Sequence, residues 1–172
     1  VGPPFSTEEA RAIVAARVAV FCKGRSAVRP EVAAFFVECL NRGVAPAVPE
    51  QGSVGASGDL APLAHMALLA LGEGEAFYKG RKMKTAAALK KAGLRPPGLA
   101  PKDGLALING TQVMTAVGAL ALRSAWNAAR HADLACAMSV DGLFGSRVPF
   151  DARIHKLRPH EGQRDSAANI WK

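Results

Sequence analysis

Polar and apolar positions alternate along this chain with a mostly helical period. Ser6-Thr7-Glu8-Glu9 is a helix start, a hydroxyl cap followed by acids that suit the positive end of the helix dipole. Apolar residues then run from Ala10 to Phe21 with Arg11 and Arg17 interspersed, and Gly24 supplies the stop. Pro30 fits the first turn of a second helix, Glu31 to Asn41, ended by Gly43. The two prolines in Val44-Ala45-Pro46-Ala47-Val48-Pro49 keep that segment extended. After a glycine-rich run to Gly58, a helix is predicted from Asp59 to about Leu71, and Glu75 to Met83 reads as a short hairpin turning at Lys79-Gly80. Lys84 to Ala92 is a short helix with Thr85 as cap and Gly93 as stop. Arg95 to Pro101 holds three prolines and is a loop. A long helix from about Asn109 to Val140 follows, until Gly142, Gly145 and Pro149 break the chain. The stretches are 1–50 (N-terminal helices), 51–72 (loop and helix), 73–103 (hairpin, short helix and loop) and 104–172 (long helix and following loop). The predicted class is all-α, with one short β-hairpin near 75–83.

Composition sharpens this picture. The 172 residues are 49% hydrophobic and 21% charged, enough apolar material for a core in one domain-sized segment. With 34 alanines and only 6% aromatics, close-packed helices suit the chain better than a β-sandwich. Cys22, Cys39 and Cys136 are odd in number and set in apolar runs. That argues against a disulfide framework and for a reducing, cytoplasmic setting, with the three thiols as small buried apolar groups. The net charge of +8 raises the question of nucleic acid, yet the one dense basic cluster (Lys79, Arg81, Lys82, Lys84, Lys90, Lys91) has only Phe77 and Tyr78 near it for stacking. A solvated surface is expected, with no nucleic-acid partner. Gly104 to Leu122 carries no charge over nineteen positions, long enough for a membrane span. Asn109, Thr111, Gln112 and Thr115 interrupt it and no aromatic belt flanks it, so a buried bundle helix is expected rather than a membrane segment. VGPPFSTEEARA has acids where a signal peptide would have a basic region, and it begins abruptly, like part of a longer chain.

The chemistry concentrates in Gly52-Ser53-Val54-Gly55-Ala56-Ser57-Gly58-Asp59-Leu60. A hydrolase nucleophile elbow fails on spacing, because Ser57 has Gly55 two before it but Asp59 two after, and no strand precedes it. A phosphate loop would use the glycines at 52, 55 and 58, but no Lys-Ser/Thr pair follows and Asp59 would put negative charge at the anion site. In a third reading the Gly58 amide nitrogen attacks the Ala56 carbonyl carbon in a strained turn that glycine permits. Loss of one water from that ring and another from the Ser57 side chain leaves 4-methylidene-imidazol-5-one (MIO), an electrophile that no ordinary side chain supplies. An ordinary glycine-rich loop fits the residues equally well.

GSVGASGDLAPLAHMALLALGEGEAFYKG, Gly52 to Gly80, closely resembles the histidine ammonia-lyase branch of the aromatic amino-acid ammonia-lyase family. Gly104-Leu-Ala-Leu-Ile-Asn-Gly-Thr-Gln112 and Gly145-Ser-Arg-Val-Pro-Phe-Asp-Ala-Arg-Ile-His155 resemble two further stretches of that family. The resemblance implies a bundle of long helices, an MIO group formed autocatalytically from Ala56, Ser57 and Gly58, and Asp59 holding or maturing the loop. It implies that Asn109 faces cofactor and substrate, with the Gly110 amide beside it. On the residues alone, Asn109 reads equally as an ordinary N-cap of the long helix or as a donor to an oxygen gaining negative charge. The implied reaction is elimination of ammonia from L-histidine to give urocanate, by a homotetramer acting on a small amino-acid substrate, without a metal.

The family's catalytic tyrosines and late glutamate have no counterpart here, since Tyr78 is the only tyrosine and belongs to the hairpin. The expectation is an internal segment carrying the cofactor half of a site without its acid–base half, and therefore inactive alone. Exposed apolar surface should make it self-associate. His65 is expected as a hydrogen-bonded core residue, while His131 with Cys136, and His155 with His160, lack zinc-site spacing. Arg158-Pro159-His160 resembles lyases of other aromatic substrates, which keeps a tyrosine or phenylalanine ammonia-lyase, or an aminomutase, as the rival. A non-catalytic helical interaction module is the reading from another class.

Overall fold

Helix α1, Thr7–Phe21, starts where the hydroxyl and acids place it. The Ser6 hydroxyl accepts from the Glu9 amide, and the Glu9 carboxylate accepts from the Ser6 amide at 2.9 Å, a reciprocal cap that satisfies two otherwise unpaired donors. The helix buries Ala10, Ile13, Val14, Arg17 and Phe21, one face at helical spacing with an arginine in its middle. Helix α2, Pro30–Asn41, packs on α1 through Val32, Phe35, Phe36 and Cys39, all buried. Phe36 meets Phe35 edge-on at 5.5 Å and Phe21 at 6.5 Å between ring centres, the aromatic centre of the core.

The computed structural model describes residues 1–172, which form two compact units, Val1–Leu120 and Ala121–Lys172. In the first unit the extended segment after α2 becomes strand β1, Val44–Pro46, every residue of it buried. It pairs antiparallel with β2, Glu75–Tyr78, which pairs with β3, Arg81–Lys84, in the order β1-β2-β3. The β2–β3 turn has positive φ at both Lys79 (48°) and Gly80 (74°), the two-residue geometry that matches the twist of a hairpin. Helices α3, Leu60–Leu71, and α4, Thr85–Ala92, pack on this small sheet. Helix α5, Asp103–Ile108, packs on α3. Helix α6, Gln112–Gly142, begins in the first unit and ends in the second. The second unit adds a 3₁₀ turn at Val148–Phe150, α7 (Ala152–His155) and α8 (Glu161–Trp171), with Arg147 stacked 4.6 Å from the Trp171 ring centre.

The fold is mostly helical with one three-stranded sheet, so the hairpin stands and gains a third strand. Several expectations change. The long helix stands as α6 but starts at Gln112, and a separate short helix, α5, which the pattern did not predict, precedes it across a break at 109–111. The nineteen-residue apolar stretch is not uniformly buried: Leu107, Val113 and Ala116 are, while Leu105 and Met114 are exposed. Its length and composition would suffice to cross a membrane. Thr85 lies inside the first turn of α4 rather than capping it, and its buried hydroxyl has no partner. His65 is exposed on the outer face of α3, because the helix buries Leu63, Met66, Ala67, Leu69 and Ala70 instead. Only Cys39 is buried; Cys22 is exposed and Cys136 half-exposed.

Candidate active site

The glycine-rich loop emerges from the sheet and enters α3 at Asp59. Residues 51 to 57 are exposed, whereas Gly58 and Asp59 are buried. The burial has a specific cause. The Asp59 amide donates to the Gly110 carbonyl oxygen at 2.6 Å, so the loop is seated against the break between α5 and α6. Gly58 has φ +116°, and a Cβ built on it would fall 2.7 Å from that same Gly110 oxygen and 3.0 Å from the Gly110 nitrogen. No side chain fits there, and φ in that range is strained for any residue but glycine.

The Asp59 carboxylate does not cap its own helix. One oxygen accepts from the Met114 amide at 2.9 Å, in the first turn of α6, and the other from the Ser53 hydroxyl. It therefore caps α6 from across the chain, where the helix dipole favours a negative group. The Ser53 oxygen in turn accepts from the Gly55 amide at 3.3 Å. One carboxylate thus ties together the start of the loop, its end and the start of α6.

The other side of the break is held by Arg17, only 3% exposed. Its guanidinium donates to the carbonyl oxygens of Ala106 and Asn109, the latter at 2.9 Å, and to the Gln112 side-chain oxygen. Burial pushes its pKa below the ordinary arginine value. Sequence reasoning passed over Arg17, although its position three after Val14 and four after Ile13 puts it on the apolar face of α1.

Of the predicted residues, the structure brings Gly58, Asp59 and Gly110 together. Ala56 and Ser57 lie on the exposed part of the loop. Asn109 does not cap the long helix: it is exposed, extended (φ −87°, ψ 107°) and closes α5, while the amide end of α6 is capped by Asp59 through Met114. Asn109 instead borders an open, largely apolar cleft of about 470 Å³ lined by Val20, Ala27, Leu105 and Ala106, with Arg25 and Lys102 at it and no residue of the glycine-rich loop. Tyr78 stands apart in β2, its hydroxyl 3.5 Å from the Lys91 carbonyl oxygen. No cluster of three His, Cys, Asp or Glu side chains comes together, and His155 contacts Pro149 and Gln163 instead.

A helical scaffold with an Ala-Ser-Gly loop pinned by the following aspartate defines the class. All of it, residues 1–172, matches the aromatic amino acid lyase family, and the chain belongs to that family. It is 55% identical to histidine ammonia-lyase of Stigmatella aurantiaca over 170 residues, which are 99% of this chain and 33% of that protein. The chain therefore spans about a third of the length of the curated relatives it matches. Among solved structures it resembles histidine ammonia-lyase from Trypanosoma cruzi (TM-score 0.92, 43% identity, 99% of this chain and 34% of that one). It also resembles tyrosine aminomutase from Streptomyces globisporus (TM-score 0.92, 47% identity, 99% and 32%).

Proposed function

We propose that the polypeptide carrying this segment eliminates ammonia from L-histidine to give urocanate, with Ala56-Ser57-Gly58 as the source of its MIO group. The observation that carries this reading is the seating of Gly58 on Gly110. Ring closure between the Gly58 nitrogen and the Ala56 carbonyl carbon needs a residue without a side chain at 58, and the Gly110 oxygen fills the place a Cβ would take. The two waters lost carry away the Ala56 carbonyl oxygen and the Ser57 hydroxyl oxygen. These residues therefore fit the group, and Asp59 and Gly110 hold it. When formed, the group supplies an electrophilic carbon that makes a normally poor elimination accessible.

The remaining roles fall to the chain's own groups. Asp59 fixes the loop end to α6 through Met114. Asn109, exposed beside the Gly110 seat of the loop, is assigned the donation of its side-chain amide to a substrate oxygen. The base that removes the β-proton is assigned to residues outside this segment, since Tyr78, the one tyrosine, stands on β2 with its hydroxyl toward the Lys91 carbonyl of α4; a positioned base contributes about 10² to 10⁴-fold. The segment alone is accordingly expected to turn nothing over.

Histidine is favoured as substrate by relatives named histidine ammonia-lyase at 48–55% identity. The 47% identity to a tyrosine aminomutase keeps the aromatic-substrate reading as the second. Assembly as a homotetramer in the cytoplasm, with no membrane, nucleic acid or metal, completes the reading. The assembly is supported by apolar side chains left exposed along α6, among them Leu122, Trp126, Leu134 and Met138. The test is product formation from histidine, tyrosine and phenylalanine by the complete polypeptide, beside its Ser57→Ala variant. Urocanate formed only with Ser57 present upholds the reading. Cinnamate, coumarate or a β-amino acid as the preferred product replaces the substrate, and equal rates in both proteins refute the role of Ser57.

A further inference from the structure

We propose that Arg17, on a helix far upstream in sequence, is the positioning residue of the MIO-forming loop: it fixes the Asn109–Gly110 edge on which Gly58 and Asp59 are seated. The inference rests on the lyase reading above and adds to it a residue outside every motif that carries that reading.

Helix α5 ends at Ile108. Had it continued, the Ala106 carbonyl would take the Gly110 amide in the regular i to i+4 pattern. The Arg17 guanidinium takes that carbonyl instead, together with that of Asn109, so two carbonyl groups at the helix end are satisfied by one side chain. A cation at a helix C-terminus is also favoured by the dipole. The same guanidinium holds the Gln112 side chain at the first residue of α6. The chain between 108 and 112 is thereby turned so that the Gly110 carbonyl points at Asp59 rather than into a helix.

This arrangement is expensive in packing. Arg17 occupies the centre of a stripe of Ala10, Ile13, Val14 and Phe21, where a leucine would bury apolar surface at no electrostatic cost. Its acceptors are neutral oxygens, the Phe21 ring lies 5.1 Å away, and its Nε is buried without a partner. A guanidinium in such a place is explained by geometry that only a forked donor can impose. Asp59 holds the amide end of α6 and Arg17 the carbonyl end of α5, and Gly110 lies between the two.

The test follows loop dehydration in the complete polypeptide made by cell-free synthesis, as wild type, Arg17→Met, Arg17→Lys and Gln112→Ala. The readout is the rate at which the Gly43–Lys79 tryptic peptide loses about 36 Da, two waters, normalised to folded protein by circular dichroism. Because a misplacement of ~1 Å costs an oriented reaction about 10²-fold, Arg17→Met is expected to dehydrate at least about tenfold more slowly than wild type, with Arg17→Lys between them. A wild-type rate in folded Arg17→Met overturns the proposal. If Arg17→Met fails to fold, Gln112→Ala decides: slower dehydration upholds the proposal and an unchanged rate overturns it. A wild-type protein that never dehydrates overturns the lyase reading and this inference with it, which no slow variant beside a dehydrated wild type can do.

Discussion

Replacing Asp59 by alanine should cost far more than an ordinary surface substitution. Its side chain is fully buried and accepts two hydrogen bonds, from Met114 N–H and the Ser53 hydroxyl. Loss of an N-cap costs about 0.5 to 2 kcal/mol. A hydrogen bond to a charged group contributes about 1.5 to 3 kcal/mol, and the donor left behind is buried. Relief of the carboxylate's own desolvation offsets part of this. The net expectation is about 2 to 4 kcal/mol, a large share of the roughly 5 to 15 kcal/mol that holds a domain together. Asp59→Asn keeps one acceptor and the shape but not the charge, so it should fall about midway. Urea unfolding of the three proteins, with m-values compared to confirm a common unfolded state, measures this directly. An Asp59→Ala loss below about 0.5 kcal/mol would refute the argument that this carboxylate joins the loop to α6, since that is the range of a neutral surface change.

Other outcomes follow from the same structure. Cys22 is exposed while burial, with Glu38 adding to it, pushes the Cys39 thiol up to about 12, so alkylation at pH 8 should label Cys22 rapidly and leave Cys39 unmodified until unfolding. For Asp103, burial pushes the pKa up, but the amides of Ala100 and Arg29 and the Arg29 side chain outweigh it and hold the carboxyl below its ordinary range. Its contribution is therefore intact above about pH 4 and lost as pH falls toward the lowered value; urea melts from pH 7 to 3 should show a shallower acid slope in Asp103→Asn. Light scattering should find the chain self-associated through α6, and Trp126→Glu, replacing a tryptophan that is 62% exposed on that helix, should shift it toward monomer.

Much of this was legible in the residues. The Ser6–Glu9 cap, the Lys79-Gly80 turn and the prolines of Val44–Pro49 are local signals, and local hydrogen bonds answer them. The Ala-Ser-Gly-Asp run marks the loop because its residue types are unusual together. The boundary near Asn109 is legible to within three residues, but α5 before it is not: six residues are too few for a periodic signal, and its end is held by Arg17, about ninety residues away, through the carbonyl groups of Ala106 and Asn109. Asn109 therefore reads as the start of the long helix when it closes the short one before it. His65 and Cys22 have apolar neighbours in sequence that point to the core, whereas His65 sits on the outward side of α3 and Cys22 just past the end of α1, both exposed. Asp59 as the cap of α6 is a contact across fifty-five residues, beyond the reach of any local pattern.

The account turns on whether Ala56, Ser57 and Gly58 become the electrophile. The direct measurement is the mass of the Gly43–Lys79 tryptic peptide from the complete wild-type polypeptide. The account predicts a deficit of about 36 Da from the unmodified sequence, confined by fragmentation to residues 56 to 58. An unmodified mass would contradict it, leaving the loop as a glycine-rich connection between a sheet and a helix.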